Sequence, residues 1–282
     1  MNFTIVGPGL IGGSFALDLK ATGLARKIIG VDSNPEHLAR AIQLGLVDEA
    51  ASLEDAVRVS DMIILAVPVD KIKLLLPQVL DMVNGTNKIV ADMGSTKRAI
   101  VKAVENHPAR GRYVALHPIA GTEFSGPDAA LMGLFRNRNV IICDSELSDK
   151  DALDTTTEFL ASTGMKISYM DSASHDLHVA YVSHISHITS FSLALSVLEK
   201  EKSEESILTL AASGFESTVR LAKSNANTWA SIFLQNSEYI TEVLDSYIGK
   251  MNLFKQYINA GDTDSLISLM NQANEIKKIL NR

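Results

Sequence analysis

The chain has a single cysteine, Cys143, among its 282 residues. No internal disulfide can form, so the fold must rest on buried apolar surface. Cys143 itself lies in an apolar run and reads as a small core residue. Positive charge is also in short supply. Against 33 Asp and Glu there are 26 Lys and Arg, a net charge of −7, and no basic run breaks the pattern. A nucleic-acid partner, which needs a basic face, is excluded on this ground. No apolar stretch approaches the ~20 residues of a membrane-spanning helix, and the first strand-like run begins too early to leave room for a leader. The expectation is a soluble, cytoplasmic protein that binds no membrane. Prolines vanish after Asp171. Repeats and low-complexity tracts are missing too. What is present is a 46% hydrophobic composition, ample for one large or two ordinary domains.

The richest local pattern stands at the start. Phe3-Thr4-Ile5-Val6 reads as a short buried strand, and it runs into Gly7-Pro8-Gly9-Leu10-Ile11-Gly12, a G-x-G-x-x-G turn. Leu10 to Leu19 then has helical apolar spacing. In such a turn Gly7 permits the bend, Gly9 lets the backbone approach a pyrophosphate, and Gly12 lets helix and strand pack closely. The N–H groups of the first helical turn, at Leu10, Ile11 and Gly12, offer unpaired donors to phosphate. Asp32 ends the next apolar run, Ile28-Ile29-Gly30-Val31, at the separation expected for an acid that accepts from ribose hydroxyls. Ser33-Asn34-Pro35 follow it without an arginine or lysine, and Arg40 falls on the exposed face of the next helix. Asp32 would repel a 2′-phosphate, so the cofactor expected is NAD rather than NADP. The same glycine turn is also compatible with a βα corner that binds nothing.

Strand-like runs recur at 2–6, 27–31, 61–67, 87–91, 113–116, 139–143 and 166–170, with amphipathic segments such as Pro35 to Leu44 and Lys71 to Val83 between them. This alternation predicts an α/β, Rossmann-type, doubly wound and mostly parallel sheet, with ligands beyond the carboxyl ends of the strands. After Asp171 the strand-like runs stop. Long helical stretches follow at Ser172 to Glu199, Thr228 to Ile248 and Thr263 to Leu280. The expected division is therefore a dinucleotide-binding domain over 1–171 and an all-α domain over 172–282. Ile185, Ile188, Phe191, Leu193 and Leu195 make the first long helix apolar on much of its circumference. A small helical domain of that kind is best buried against a second copy, which predicts a homodimer.

Two loops follow sheet strands, where chemistry is expected. In Asp92-Met93-Gly94-Ser95-Thr96-Lys97, Ser95 reads either as an N-cap of the next helix or as a group that holds a substrate hydroxyl. In His117-Pro118-Ile119-Ala120-Gly121-Thr122-Glu123, His117 is placed to meet a bound nicotinamide. Imidazole titrates near neutrality and can accept a proton from an alcohol as hydride departs. A structural histidine in a turn fixed by Pro118 is the other reading.

The segments GPGLIG (7–12), DMGSTK (92–97), HPIAGTE (117–123), HDLHVAYVSHISH (175–187) and GFESTVRLAKSNANTWASIFLQN (214–236) occur in this order. Together they resemble the prephenate dehydrogenase family, which includes arogenate dehydrogenases, over nearly the whole chain. The resemblance implies oxidative decarboxylation of prephenate with NAD or NADP to 4-hydroxyphenylpyruvate, on the way to tyrosine. It implies that His117 is the catalytic histidine on the ring hydroxyl and that Ser95 helps orient hydroxyl and histidine. It further implies that Arg220 binds a substrate carboxylate, that His187 is a substrate-side histidine, and that Thr122, Glu123 and Asp176 belong to the cleft and the ion-pair network at its mouth. Trp229 falls at the family's tryptophan. Ala211-Ala212-Ser213-Gly214-Phe215 is less glycine-rich than is common before the arginine loop.

These residues suit the reaction. It needs a base to accept the hydroxyl proton as the carbonyl forms, an anchor for a dianion such as the Arg220 guanidinium, and no metal or covalent nucleophile. On an uninterrupted helix, Asp176 and His187 would share a face with about 16 Å of rise between them. His187 is then expected near the ligand, and Asp176 in a structural or gating role. His175, His178 and His184 are expected to pack or cap, not to bind a metal, since no cysteine or converging carboxylates accompany them. Three rivals stand beside this reading. One is arogenate dehydrogenase. Another is a β-hydroxyacid dehydrogenase, which would use a lysine that Ser172 to Leu198 lacks. The last is a non-enzymatic NAD-binding redox sensor.

Overall fold

The computed structural model describes residues 1–204 and 206–280. Its sheet carries the strands β1 (Asn2–Val6), β2 (Lys27–Val31), β3 (Glu49–Ala50), β4 (Met62–Leu65), β5 (Ile89–Asp92), β6 (Tyr113–Pro118), β7 (Asn139–Cys143) and β8 (Lys166–Met170), in the order β3-β2-β1-β4-β5-β6-β7-β8. Strands β1 to β6 run parallel. β7 pairs antiparallel with β6, and β8 pairs parallel with β7. The chain moves outward from β1 to β3 and then crosses back to lay β4 on the other side of β1. That reversal opens a crevice at the carboxyl ends of β1 and β4, where ligands of such sheets bind.

The strands are apolar throughout because both faces of the sheet are covered. In β4, Met62 and Ile64 join one core with Phe3, Ile5, Phe15 and Phe159. Ile63 and Leu65 join the opposite core with Leu76, Leu80, Val90 and Tyr113. A period of two with no polar face is the signature of a strand buried on both sides.

The connecting helices are α1 (Leu10–Ala21), α2 (Pro35–Gln43), α3 (Leu53–Val59), α4 (Val69–Val83), α5 (Arg98–Lys102) and α6 (Lys150–Ser162). Local chemistry sets several of their starts. Asn34 Oδ1 accepts from the N–H of Glu36 at 2.9 Å, with Pro35 in the first turn of α2. Ser52 Oγ accepts from Asp55 N at 3.1 Å to begin α3. Each is an N-cap that satisfies a donor the helix cannot. The alternation of the sequence predicts neither β3, two exposed residues at the sheet edge, nor the reversed direction of β7 and β8.

The helical segment departs from three uninterrupted helices. Instead of one helix over 172–199, α7 (Ser172–Val179) passes through a π turn, Ala180–His184, into α8 (Ile185–Glu201). Widening one turn brings Asp176 and His184 to the same side. The Asn236 side-chain N–H2 donates both to Asp176 O at 2.7 Å and to His184 Nδ1 at 3.1 Å. The shared face of Asp176 and His187 therefore does not hold, because it assumes an unbroken α-helix. α9 (Ser213–Val219) and α10 (Ala226–Gln235) follow. Buried Asn236 leaves helical geometry and separates α10 from α11 (Ser237–Ala260), breaking the helix expected over 228–248. α12 (Thr263–Asn274) is capped by Asp262, which accepts from Ser265 N at 3.0 Å, and α13 spans Lys277–Leu280.

The structure forms two compact units, Met1–Ser237 and the helical remainder from Glu238 onward. The first unit thus includes the sheet and the helical segment through α10. No helix among the described residues is long and apolar enough to cross a membrane.

Candidate active site

The glycine turn closes the carboxyl end of β1. Gly7 has φ +87°, and a Cβ there would press on the Ala66 backbone, so the position needs glycine. A Cβ on Gly12 would collide with the Gly7 carbonyl oxygen and with Ile5, which is the close strand–helix approach expected of the third glycine. Gly9 differs: the nearest atoms to an added Cβ are 3.8 Å away, on Gly126. Its surroundings leave space at the N-terminus of α1. There the N–H groups of Leu10, Ile11 and Gly12 precede the first intrahelical bond, Gly13 N to Gly9 O at 2.8 Å. This cradle fits a pyrophosphate.

Asp32 follows β2 directly. Its Oδ1 accepts from Asn34 N at 2.8 Å, which fixes the carboxylate at the mouth of the crevice. Arg40 does not reach toward it as a phosphate ligand. Its Nε and Nη2 both donate to Asp128 Oδ1, at 2.9 and 2.6 Å, on the surface.

The segment after β6 folds back over α1. Leu131 N donates to Ser14 Oγ at 2.8 Å, and Gly133 N donates to Asp18 Oδ1 at 2.7 Å. The connection from His117 to Gly126 therefore runs beside the glycine turn, and His117 stands at the carboxyl end of β6.

His117 is the first member of a chain of hydrogen bonds. Its Nδ1 is 2.8 Å from His175 Nε2, and His175 Nδ1 is 2.8 Å from Asp176 Oδ1. The Asp176 carboxylate also accepts from Lys97 N at 2.8 Å and from Arg98 N at 3.0 Å. Burial pushes the His117 pKa well below its ordinary value, and the neighbouring His175, Lys97 and His184 push the same way. The imidazole is thus neutral at physiological pH, as a base must be.

Under the histidine lies a second buried network. Lys97 and Asp92 are fully buried and paired. Lys97 Nζ also donates to Leu116 O at 2.6 Å, beside His117. Tyr113 Oη donates to Asp92 Oδ1 at 2.6 Å, and burial raises the Tyr113 pKa far enough to keep it a donor. This cluster closes the floor of the site and excludes water from it.

Arg220 lies in the short turn after α9, with Nη1 3.7 Å from Glu123 Oε2. His187 Nδ1 bonds Ser183 O at 3.1 Å, so it carries the proton and leaves Nε2 as the acceptor. The ring stacks on Trp229 with centroids 3.3 Å apart. Burial first, and then the charge of Arg220, lower the His187 pKa. Arg220, His187, Glu123 and Trp229 therefore cluster. Thr122 is exposed on the same loop, with Oγ1 accepting from Phe124 N at 3.3 Å. Ser95 is half-buried in the turn after β5, two residues before Lys97.

Three expectations change. Ser95 does not cap α5, whose N-cap position is Lys97. The helix start is served from 79 residues away by Asp176. Asp176 is buried at the base of the histidine chain rather than in the ion pairs at the cleft mouth. His175, expected to pack or cap, is the partner of His117. The helical spacing hid it. The adjacency of a histidine and an aspartate, both buried in one helix turn, was the only local signal. The buried histidines have protein partners, His175 on Asp176, His184 on Asn236 and His187 on Ser183. Among the described residues no group of three metal-ligating side chains converges.

A dinucleotide cradle at the switch point of a parallel sheet, with a neutral histidine at a neighbouring strand end, defines a dinucleotide-dependent dehydrogenase. Comparison with known proteins narrows the class. The family profile described as prephenate dehydrogenase, nucleotide-binding domain, matches residues 15–169, and that described as prephenate dehydrogenase, dimerization domain, matches residues 171–272. Prephenate dehydrogenase of Bacillus subtilis is 30% identical over 97% of this chain and 74% of its own. Cyclohexadienyl dehydrogenase of Zymomonas mobilis is 28% identical over 99% of this chain and 96% of its own. The crystal structure of Aquifex aeolicus prephenate dehydrogenase in complex with hydroxyphenyl propionate and NAD+ superposes with a TM-score of 0.88. Its identity is 29%, covering 100% of this chain and 98% of that one. The chain belongs to the prephenate dehydrogenase family.

Proposed function

We propose that the protein oxidises prephenate with NAD, releasing carbon dioxide and forming 4-hydroxyphenylpyruvate for tyrosine synthesis. The observation that carries the reading is the half-buried, neutral His117 at the end of β6, beside a glycine turn with room for a pyrophosphate. NAD, when bound, accepts the hydride. Gly7, Gly9 and Gly12, the N–H groups of Leu10, Ile11 and Gly12, and Asp32 would hold it. The pairing of Arg40 with Asp128 supports NAD over NADP, because it engages the guanidinium that follows Asp32 on α2 and that a 2′-phosphate would need.

The protein's own groups do the rest. His117 accepts the hydrogen bond of the ring hydroxyl, drawing electron density to the carbon that loses hydride. Loss of carbon dioxide returns an electron pair to the ring, and the phenol keeps its proton, so no net proton is consumed. Ser95 orients the hydroxyl. Arg220 anchors a carboxylate, the His187 acceptor faces the substrate from α8, and Glu123 and Thr122 form the rim. Aromatisation supplies the driving force, so no metal is called for.

Exposed apolar side chains on α8, Leu193, Leu195 and Leu198, support a homodimer, as does the match to a dimerization domain. We place the functional domain boundary at 171/172, close to the break between the two family profiles at residues 169 and 171, and the protein in the cytoplasm, where its substrate would be made. The test is direct: protein, NAD and prephenate are mixed and NADH absorbance is followed. Turnover with prephenate is expected. Turnover with arogenate in its place would change the substrate, and none with either would overturn the enzyme.

A further inference from the structure

With His175 neutral, the hydrogen bonds behind His117 admit one arrangement of protons. Asp176 accepts two backbone N–H bonds, from Lys97 and Arg98, as a carboxylate does. An ionised carboxylate 2.8 Å from His175 Nδ1 requires that nitrogen to carry the proton. Neutral His175 then has a bare Nε2, which can only accept. Its partner 2.8 Å away, His117 Nδ1, must therefore donate. The proton of neutral His117 is thereby committed to Nδ1, and its Nε2 is left as a lone pair. The reverse order would set a bare His175 nitrogen against the carboxylate.

We propose that His175 and Asp176 are positioning residues that lock His117 in the Nδ1–H tautomer, so that Nε2 is always the atom offered to the substrate hydroxyl. This rests on the reading of His117 as the hydroxyl's acceptor. The logic is that of an acid oriented behind a catalytic imidazole, with one more imidazole between them. The chain does two things. It holds the ring's orientation, and it passes the carboxylate's charge through His175 to favour the partial positive charge His117 gains as the hydroxyl leans on it. The other charged or titratable groups facing His117 are Lys97, whose Nζ binds Leu116 O and Asp92, and His184, which is tied to Asn236. None of these bonds the imidazole of His117 among the described residues. The anchoring has a structural consequence as well. Asp176 joins the start of α5 to α7, so the tautomer of His117 depends on both elements staying in place.

The experiment compares His175→Phe with His175→Gln. Glutamine can accept from His117 and donate to Asp176, as histidine does, whereas phenylalanine can do neither. His175→Phe should lower kcat about 10- to 100-fold, the span expected for losing a hydrogen bond to a group that gains charge. KM for prephenate and the dissociation constant of NAD should stay within about twofold. The acid limb of the kcat–pH profile should move to lower pH, because the hydrogen bond that His117 Nδ1–H gives to His175 favours the charged imidazole and outweighs the opposing repulsion from His175. His175→Gln should recover most of kcat. The double variant His117→Ala/His175→Phe should be no slower than His117→Ala alone, since His175 acts only through His117. Nitrogen-15 spectra of the wild-type histidines should show His117 protonated at Nδ1.

Unchanged kcat and pH profile in His175→Phe would overturn the proposal. So would equal losses in Phe and Gln with a fixed acid limb, additive losses in the double variant, or a proton on His117 Nε2. A His117→Ala enzyme that kept its kcat would instead overturn the acceptor reading beneath it, so the two failures are told apart. The spectra need no variant and decide the matter if His175→Phe fails to fold.

Discussion

The two ends of the site are built on opposite electrostatic terms. At one end His175, Asp176 and Lys97 are almost wholly withdrawn from water and His117 is half-buried, and the hydrogen bonds that join the four are each 2.8 Å long. At the other, Arg220 keeps about half its side chain in solvent and meets Glu123 at 3.7 Å. Buried groups in low dielectric are strongly coupled and cannot change partners cheaply. Exposed charges are screened and readily exchanged. The difference teaches a division of labour. On the proposed reading, the buried end sets the state of the group that meets the reacting hydroxyl, and the exposed end is free to trade a protein carboxylate for a substrate one.

The largest effect that could break this division is at His117. His117→Ala should lower kcat by about 10²–10⁴-fold, the usual worth of a positioned acid or base, while NAD affinity stays near that of the parent. Steady-state kinetics and NAD titration check both halves. A loss of NAD binding of similar size would mean that the buried end also builds the cofactor site. Next in size is Arg220→Ala. It should raise KM for prephenate about 10- to 100-fold, as expected for a lost charge-assisted pair, and change kcat less. If kcat fell and KM held, the exposed end would be acting on the chemistry and the contrast would fail.

The buried end should also show itself in stability. Burial holds His184 at a pKa of about 4, below the 6.5 of the unfolded chain. The unfolded chain therefore takes up the proton first. The contribution is complete above pH 6.5 and is lost as pH falls from there toward about 4, with a loss of about 2 kcal/mol by pH 5. His117 and His187 are shifted in the same direction and add to the slope. Urea unfolding at pH 7.5 and pH 5 measures it. His184→Gln should flatten the dependence, and a flat parent profile over that window would contradict the burial argument.

Much of the sheet was legible because parallel strands buried on both faces leave continuous apolar runs, and because Gly7, Gly12 and Asp32 do local jobs at local spacings. The reversal of β7 and β8 left no such mark, since both directions need the same side chains. The site was legible only in part. His117 stood out by its strand end, but Arg220 and His187 came through family resemblance, with no period or spacing to mark them. His175 and Asp176 were missed in role for a physical reason. Their bonds to His117 and to Lys97 span 58 and 79 residues, and the π turn at Ala180–His184 displaced the helical faces on which their neighbours were being judged.

The smallest effect tests the exposed end at its finest grain. A half-exposed pair at 3.7 Å is worth at most about 1 kcal/mol, so removing Glu123 should change KM by no more than about fivefold. Its sign is the informative part. If Glu123 is a counter-ion that a substrate carboxylate displaces, Glu123→Gln leaves Arg220 unpaired in the free enzyme, and KM for prephenate should fall. If Glu123 instead grips the substrate, the same change should raise KM. Raising ionic strength should shrink the difference between parent and variant, because the pair lies where salt reaches it. At the buried end the same salt should leave kcat untouched. A salt-insensitive Glu123 effect would place that carboxylate with the histidines, and the division between the two ends would have to be drawn elsewhere.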